Sequence, residues 1–160
     1  MIRVKIIALG RLKEKYWCDA VLEYAKRLKG YCDFEIIELN PIRLPDSPNN
    51  TQIESALLKE AELITAKIPK GAYIIPMCIE GKQQDSEALA RLIEVRSAEG
   101  ISSIVFIIGS SFGLHDSVKN MGNLKMSMSS MTFPHQLARV MLCEQIYRAF
   151  KINEGSAYHK

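Results

Sequence analysis

The segment "SSIVFIIG", residues 102–109, constrains the fold of this chain more than any other stretch. Five consecutive apolar residues, most of them β-branched, lie between serines and a glycine. A strand with one face in water would alternate polar and apolar residues, so an unbroken run is a strand buried on both faces. Such a strand needs helices above and below it.

The rest of the chain supplies them. "IRVKIIALG" reads as a buried strand closing on Gly10. "KEKYWCDAVLEYAKRLKG" places Trp17, Ala20, Val21, Tyr24, Ala25 and Leu28 at helical spacing, with Gly30 as a stop. "DFEIIEL" is a second strand. "NPIRLPDSPNN", with three prolines, is a loop. "TQIESALLKEAELITAKI" is a helix capped by Asn50 or Thr51 and ended by Pro69. "AYIIPMCI" is a third strand in which Pro76 suggests a bulge or strand end. "DSEALARLIEVRSAEG" is a helix capped by Asp85 or Ser86. After the fourth strand come a short helix near 116–121, a short strand "LKMSM", and a helix from Pro134 to about Ile152. Strands alternating with helices predict one α/β domain over residues 1–160, a parallel sheet with helices on both sides.

At 160 residues the chain is long enough for a continuous core. Its net charge of +3 permits contact with nucleic acid but is modest for a dedicated electrostatic binder. The four cysteines, Cys18, Cys32, Cys78 and Cys143, lack zinc or redox spacing and read as buried, reduced thiols. The apolar run at the start is too short for a signal peptide, and no stretch has the length of a membrane helix. A cytoplasmic protein without membrane or metal partners is expected.

Ligands of open α/β sheets bind beyond the carboxyl ends of strands. Here those positions are "MCIEGK", "IIGSSFG" and "MSSMTFP". Gly81, Gly109 and Gly113 allow tight turns there. "ALGRLKEK" is not a dinucleotide fingerprint, and no Walker sequence is present. In the final helix, apolar residues run almost all round the axis, from Leu137 to Ile152, which predicts burial from several directions, one of them a second subunit. Arg139 shares an arc with Leu142, Ile146 and Phe150, where a cation needs a partner. Glu144 and Arg148 are i,i+4 neighbours.

The blocks "LGRLKEKYW", "EGK", "FIIGSSFGLH", "MTFPHQLARVMLCEQIYRAFKI" and "AYHK" resemble the RlmH (YbeA) family of SPOUT-class RNA methyltransferases over essentially the whole chain. The resemblance implies a SPOUT-type sheet with a C-terminal trefoil knot, a homodimer, and S-adenosylmethionine as methyl donor. It implies a pseudouridine of large-subunit (23S) ribosomal RNA, in the assembled ribosome, as the group methylated at N3. It assigns the cofactor to Met77, Gly109, Met128, Ser129, Ser130, Met131, Thr132 and Phe133, and the substrate to Glu144, Arg148, Tyr158 and His159. Arg139, Arg148 and Lys160 would hold phosphates, Tyr158 would stack on a base, and the N3 proton would go to His159, to Glu144 or directly to water. The segment "EGSAYHK" is expected to turn at Gly155 and to be flexible without RNA. Ser110 stands where the family has a glycine, which would strain a backbone with positive φ. The alternatives are a SPOUT enzyme acting on tRNA and a non-enzymatic ribosome-binding factor.

Overall fold

Strand β4 (Ser103–Ile108) has no exposed residue. It lies in a five-stranded sheet with β1 (Arg3–Leu9), β2 (Asp33–Leu39), β3 (Tyr73–Gln83) and β5 (Met126–Ser127), in the order β2-β1-β4-β3-β5. Every pairing is parallel. The computed structural model describes residues 1–160.

Alternation along β1 and β4 divides the core between the two faces. Val4, Ile6, Ile104 and Phe106 point to one side and pack against α1 (Lys15–Leu28), α3 (Ser86–Ala98) and α5 (His135–Asn153). Ile7, Leu9, Val105 and Ile107 point to the other and meet α2 (Asn50–Thr65) and α4 (Asp116–Met121). Each buried Ile or Phe of this kind contributes roughly 1.5–3 kcal/mol through the water it leaves. The doubly covered parallel sheet expected from the apolar runs is the one observed.

Local details differ where side-chain hydrogen bonds decide. Helix α2 is capped by Asn49, not by Asn50 or Thr51. Its side chain accepts from the Gln52 N–H at 2.8 Å while Gln52 Oε1 accepts from the Asn49 N–H at 2.9 Å. Asp85 caps α3, accepting from the Ala88 N–H. Pro134 is the residue before α5 rather than its first, held extended at ψ 143°. Pro76 lies inside β3, paired in register with Ile107, and the register toward β5 shifts just beyond it, between Met77 and Lys82, as at the expected bulge. The Ile74 N–H donates to Asn123 Oδ1 at 2.8 Å, so that edge of β3 meets a loop. Pro76, two residues on, presents the same edge and deprives no ladder of a donor. All four cysteines are free. Burial pushes the Cys32 and Cys143 thiols up to about 12. Cys18 and Cys78 are only half-buried, against expectation.

Helix α5 spends most of its apolar surface inside its own chain. Leu142, Cys143, Ile146 and Ala149 are buried among α1, α3 and the sheet, while Val140, Met141 and Tyr147 stay half-covered. Arg139 does not hold a phosphate: its side chain is 5% exposed and ion-paired with Glu38 at the end of β2. Its Nη2 also donates to the Gly10 carbonyl at 3.0 Å. One guanidinium thus joins α5 to the carboxyl ends of β1 and β2. Removing its partner leaves a buried cation, so Glu38→Ala should cost about 2 kcal/mol of stability. Asp19→Ala, which breaks the exposed Lys15–Asp19 pair, should barely move the urea midpoint followed by circular dichroism.

Candidate functional site

Three loops leave the carboxyl ends of β3, β4 and β5 and converge. After β4 the chain folds back on itself, with the Gly113 N–H donating to the Ser110 carbonyl at 2.9 Å and Gly113 at φ 83°. A Cβ at Gly109 would overlap the Gly113 carbonyl oxygen, so glycine is required there by the turn itself. Ser110 carries no strain, because no residue other than glycine has positive φ. Its hydroxyl instead donates to Glu60 Oε1 of α2 at 3.0 Å. The loop after β5 is braced internally: Ser127 Oγ donates to the Ser129 carbonyl, and the Met131 N–H to Ser129 Oγ, both at 3.0 Å.

Between these loops lies a cleft of about 400 Å³. Met77, Gly109, Met128, Ser129, Met131, Thr132 and Phe133 line it as expected, whereas Ser130 does not. Sequence reasoning missed Cys78, Glu80, Phe112, Lys119 and His135, which line it too. Lys119 donates to Glu80, and that bond holds the Glu80 carboxyl below and the Lys119 ammonium above their ordinary ranges. Glu80 stands in the "EGK" block, but its partner is distant in sequence, where no local pattern points to it. Phe112 and Met131 leave large apolar surfaces exposed at the rim, 48% and 71% respectively.

A second cavity, about 540 Å³, adjoins the first, and Ser127 and Met128 line both. Tyr24, Ser86, Glu144 and Gln145 are among its walls. Glu144 is the hub of this side. Arg148 donates to Glu144 Oε1 through Nη2 at 2.6 Å and through Nε at 3.0 Å. Gln145 Nε2 donates to Glu144 Oε2 at 2.9 Å. The Tyr158 hydroxyl donates to Glu144 Oε1 at 3.1 Å. Burial, and then the Glu144 charge, raise the Tyr158 phenol above its ordinary value. The Arg148 guanidinium lies 4.8 Å from the Tyr158 ring centre and within 3.3 Å of His159 Nδ1. Glu144, Arg148, Tyr158 and His159 are therefore brought together, while Lys160 is exposed and makes no ion pair in this cluster.

The tail reaches that cluster through a helix stop. Gly155 at φ 76° lets its own N–H bond Ile152 O and the Ser156 N–H bond Lys151 O, at 2.9 and 3.0 Å. Tyr158 then packs edge-on against Tyr147 at 5.1 Å. These contacts place the tail against α5.

A protein-family model described as "Predicted SPOUT methyltransferase" matches residues 2–159. The chain belongs to the SPOUT methyltransferase family. A solved structure described as "a probable methylase family protein from Haemophilus influenzae Rd KW20" superposes with a TM-score of 0.53 at 12% identity. The alignment covers 99% of this chain and 70% of that one, and at this identity it supports the fold.

SPOUT methyltransferases typically use S-adenosylmethionine, and the cleft suits such a ligand. Its volume lies within the roughly 300–1,000 Å³ of small-molecule sites. Methionine and phenylalanine side chains offer apolar faces, and the two loops offer backbone donors and acceptors to a heterocycle's edge. No helix of this SPOUT methyltransferase is long and apolar enough to cross a membrane. Gly109→Ala should lower stability by about 1–3 kcal/mol through overlap with the turn, read by denaturant unfolding. A stability equal to wild type would show that the turn can open without cost.

Proposed function

We propose that this protein transfers the methyl group of S-adenosylmethionine to N3 of a pseudouridine in large-subunit ribosomal RNA, within the assembled ribosome. The observation that carries the reading is the common wall, Ser127 and Met128, between the cleft lined by the family's cofactor residues and the cavity lined by Glu144. A donor in one and a base in the other would meet across that wall. The resemblance of "MTFPHQLARVMLCEQIYRAFKI" and "AYHK" to the RlmH (YbeA) family supports the choice of substrate.

When bound, the cofactor supplies an electrophilic methyl on a sulfonium. The protein's share is orientation, exclusion of water and removal of the N3 proton. Met77, Gly109, Met128, Ser129, Met131, Thr132 and Phe133, which line the cleft, would hold the donor. Both oxygens of Glu144 already accept from Arg148, Tyr158 and Gln145, so Glu144 acts by holding these groups in place. Arg148 occupies His159 Nδ1 at 3.3 Å, so in this reading His159 takes the N3 proton once an RNA phosphate engages Arg148 and frees that nitrogen. Tyr158 offers a stacking face and Arg148 and Lys160 offer cations to the RNA backbone.

The reading includes a homodimer, supported by the half-covered Val140 and Met141 beside the second cavity, which a partner would close. It includes a trefoil knot between β4 and α5, supported by the placement of β5 beyond β3 and the return of α5 to α1 and α3. A cytoplasmic location follows from a ribosomal substrate.

Ribosomes from a strain lacking this protein should accept labelled methyl from the purified enzyme at one pseudouridine of the large-subunit RNA, read by mass spectrometry. Label in tRNA, or none, would overturn the substrate. Deleting residues 157–160 should leave S-adenosylmethionine affinity within about twofold and abolish transfer; His159→Ala should lower kcat about 10²-fold. A second expectation concerns the cleft alone. S-adenosylmethionine should slow alkylation of Cys78, which lines it, and leave Cys18 unprotected. Equal rates with and without ligand would move the cofactor elsewhere.

A further inference from the structure

Glu60 is the only buried acidic residue of the chain, 4% exposed in the middle of α2. Its neighbours on that helix, Ala56, Leu57, Ala61 and Ile64, are apolar and buried. A carboxyl group in such a place loses its water and needs other donors to offset the loss. It has two. The Ile42 N–H donates to Oε2 at 2.9 Å and the Ser110 hydroxyl to Oε1 at 3.0 Å. No cation pairs with it; its hydrogen bonds run to two loops that are distant in sequence.

One of those loops is the turn at the mouth of the cleft. Ser110 and Gly113 line the cleft and are joined by the turn's own hydrogen bond. Gly109 packs against the Gly113 carbonyl on one side. The bond from Ser110 to Glu60 ties the turn to the helix layer on the other. The second loop contains Pro41, Pro45 and Pro48, whose fixed φ angles make it stiff. Glu60 therefore holds the cleft turn between a helix and a stiffened segment.

We propose that Glu60 is a positioning residue for cofactor binding, setting the Ser110–Gly113 turn and coupling it to the proline-containing segment 40–48. The proposal rests on the reading that this cleft holds S-adenosylmethionine. An apolar side chain would suit α2 at this position, so a carboxyl group there is explained by what it holds. Ser110, where the family resemblance has a glycine, gives the carboxyl group a hydroxyl to hold.

The test is a double-mutant cycle on S-adenosylmethionine binding, measured by calorimetry. Glu60→Leu and Ser110→Ala should each raise Kd about tenfold, and the double variant should bind no worse than Glu60→Leu, because both single variants remove the one bond that ties the cleft turn to α2. Glu60→Gln should bind within about twofold of wild type. Its amide oxygen can accept from Ile42 while its NH2 donates to the Ser110 hydroxyl oxygen. In turnover, KM for S-adenosylmethionine should rise in Glu60→Leu while kcat at saturation stays within about twofold. In the cofactor-free protein, hydrogen exchange at the Gly113 amide should quicken in Glu60→Leu and Ser110→Ala, with amides of β1 and β4 unchanged.

Unchanged Kd in the single variants, or multiplied losses in the double, would overturn the proposal. So would unchanged exchange at Gly113. If Glu60→Leu does not fold, Ser110→Ala and Glu60→Gln carry the same comparison without disturbing α2. If wild type binds no S-adenosylmethionine, the cofactor reading falls by itself, and exchange at Gly113 still decides whether Glu60 holds the turn.

Discussion

The six residues of β4 are all buried, so their backbone polar groups find their partners in β1 and β3. An unpaired N–H or C=O at that depth costs about 1–3 kcal/mol. The parallel registers of β4 with both neighbours, six residue pairs with β1 and five with β3, answer that demand. The central strand carries no charged side chain, and the loops that could meet a ligand lie at the ends of the strands. The loops after β3, β4 and β5 and the cleft between them gather at the carboxyl edge because the middle of the sheet excludes them.

At that edge, acidic side chains do the joining. Glu38 receives Arg139 and the Leu12 N–H. Glu60 receives Ile42 and Ser110. Glu144 receives Arg148, Gln145 and Tyr158. Each has more than one donor, and each donor comes from a different part of the chain or a different turn. A carboxyl group removed from water, as Glu60 is, is stable only when several donors replace its hydration, and that requirement makes it a good organiser of loops. Arg139 shows the same rule for a cation. Its helical arc already said that it needed a partner, and the partner was an internal carboxylate instead of RNA.

Much of the fold was readable before any coordinates. The unbroken run Ile104–Ile108 announced a doubly covered strand, and the spacing of Val21, Tyr24 and Leu28 announced a helix. The convergence of Met77, Gly109 and the loop Met128–Phe133 followed once those strands were parallel, because parallel strands send all their carboxyl ends the same way. Boundaries were less readable. Asn49 displaced Asn50 and Thr51 as cap because Gln52 could return the hydrogen bond, and several neighbouring polar residues could have offered one. The apolar girth of α5 was read as burial from several directions. Packing on α1 and α3 accounts for Leu142, Cys143, Ile146 and Ala149.

The sequence by itself determined the class of sheet, the order of its elements and the residues that carry the family's likeness. These depend on periodicity and on short blocks, which are local in the chain. Only the tertiary structure decided that Arg139 meets Glu38, that Glu60 meets Ser110, and that Lys119 meets Glu80. It also decided that "EGSAYHK" folds back so that Tyr158 and His159 meet Glu144 and Arg148. Those pairings link residues that no period relates, and they form where the fold brings charged and hydroxyl groups from distant segments within hydrogen-bond reach and shields them in part from water.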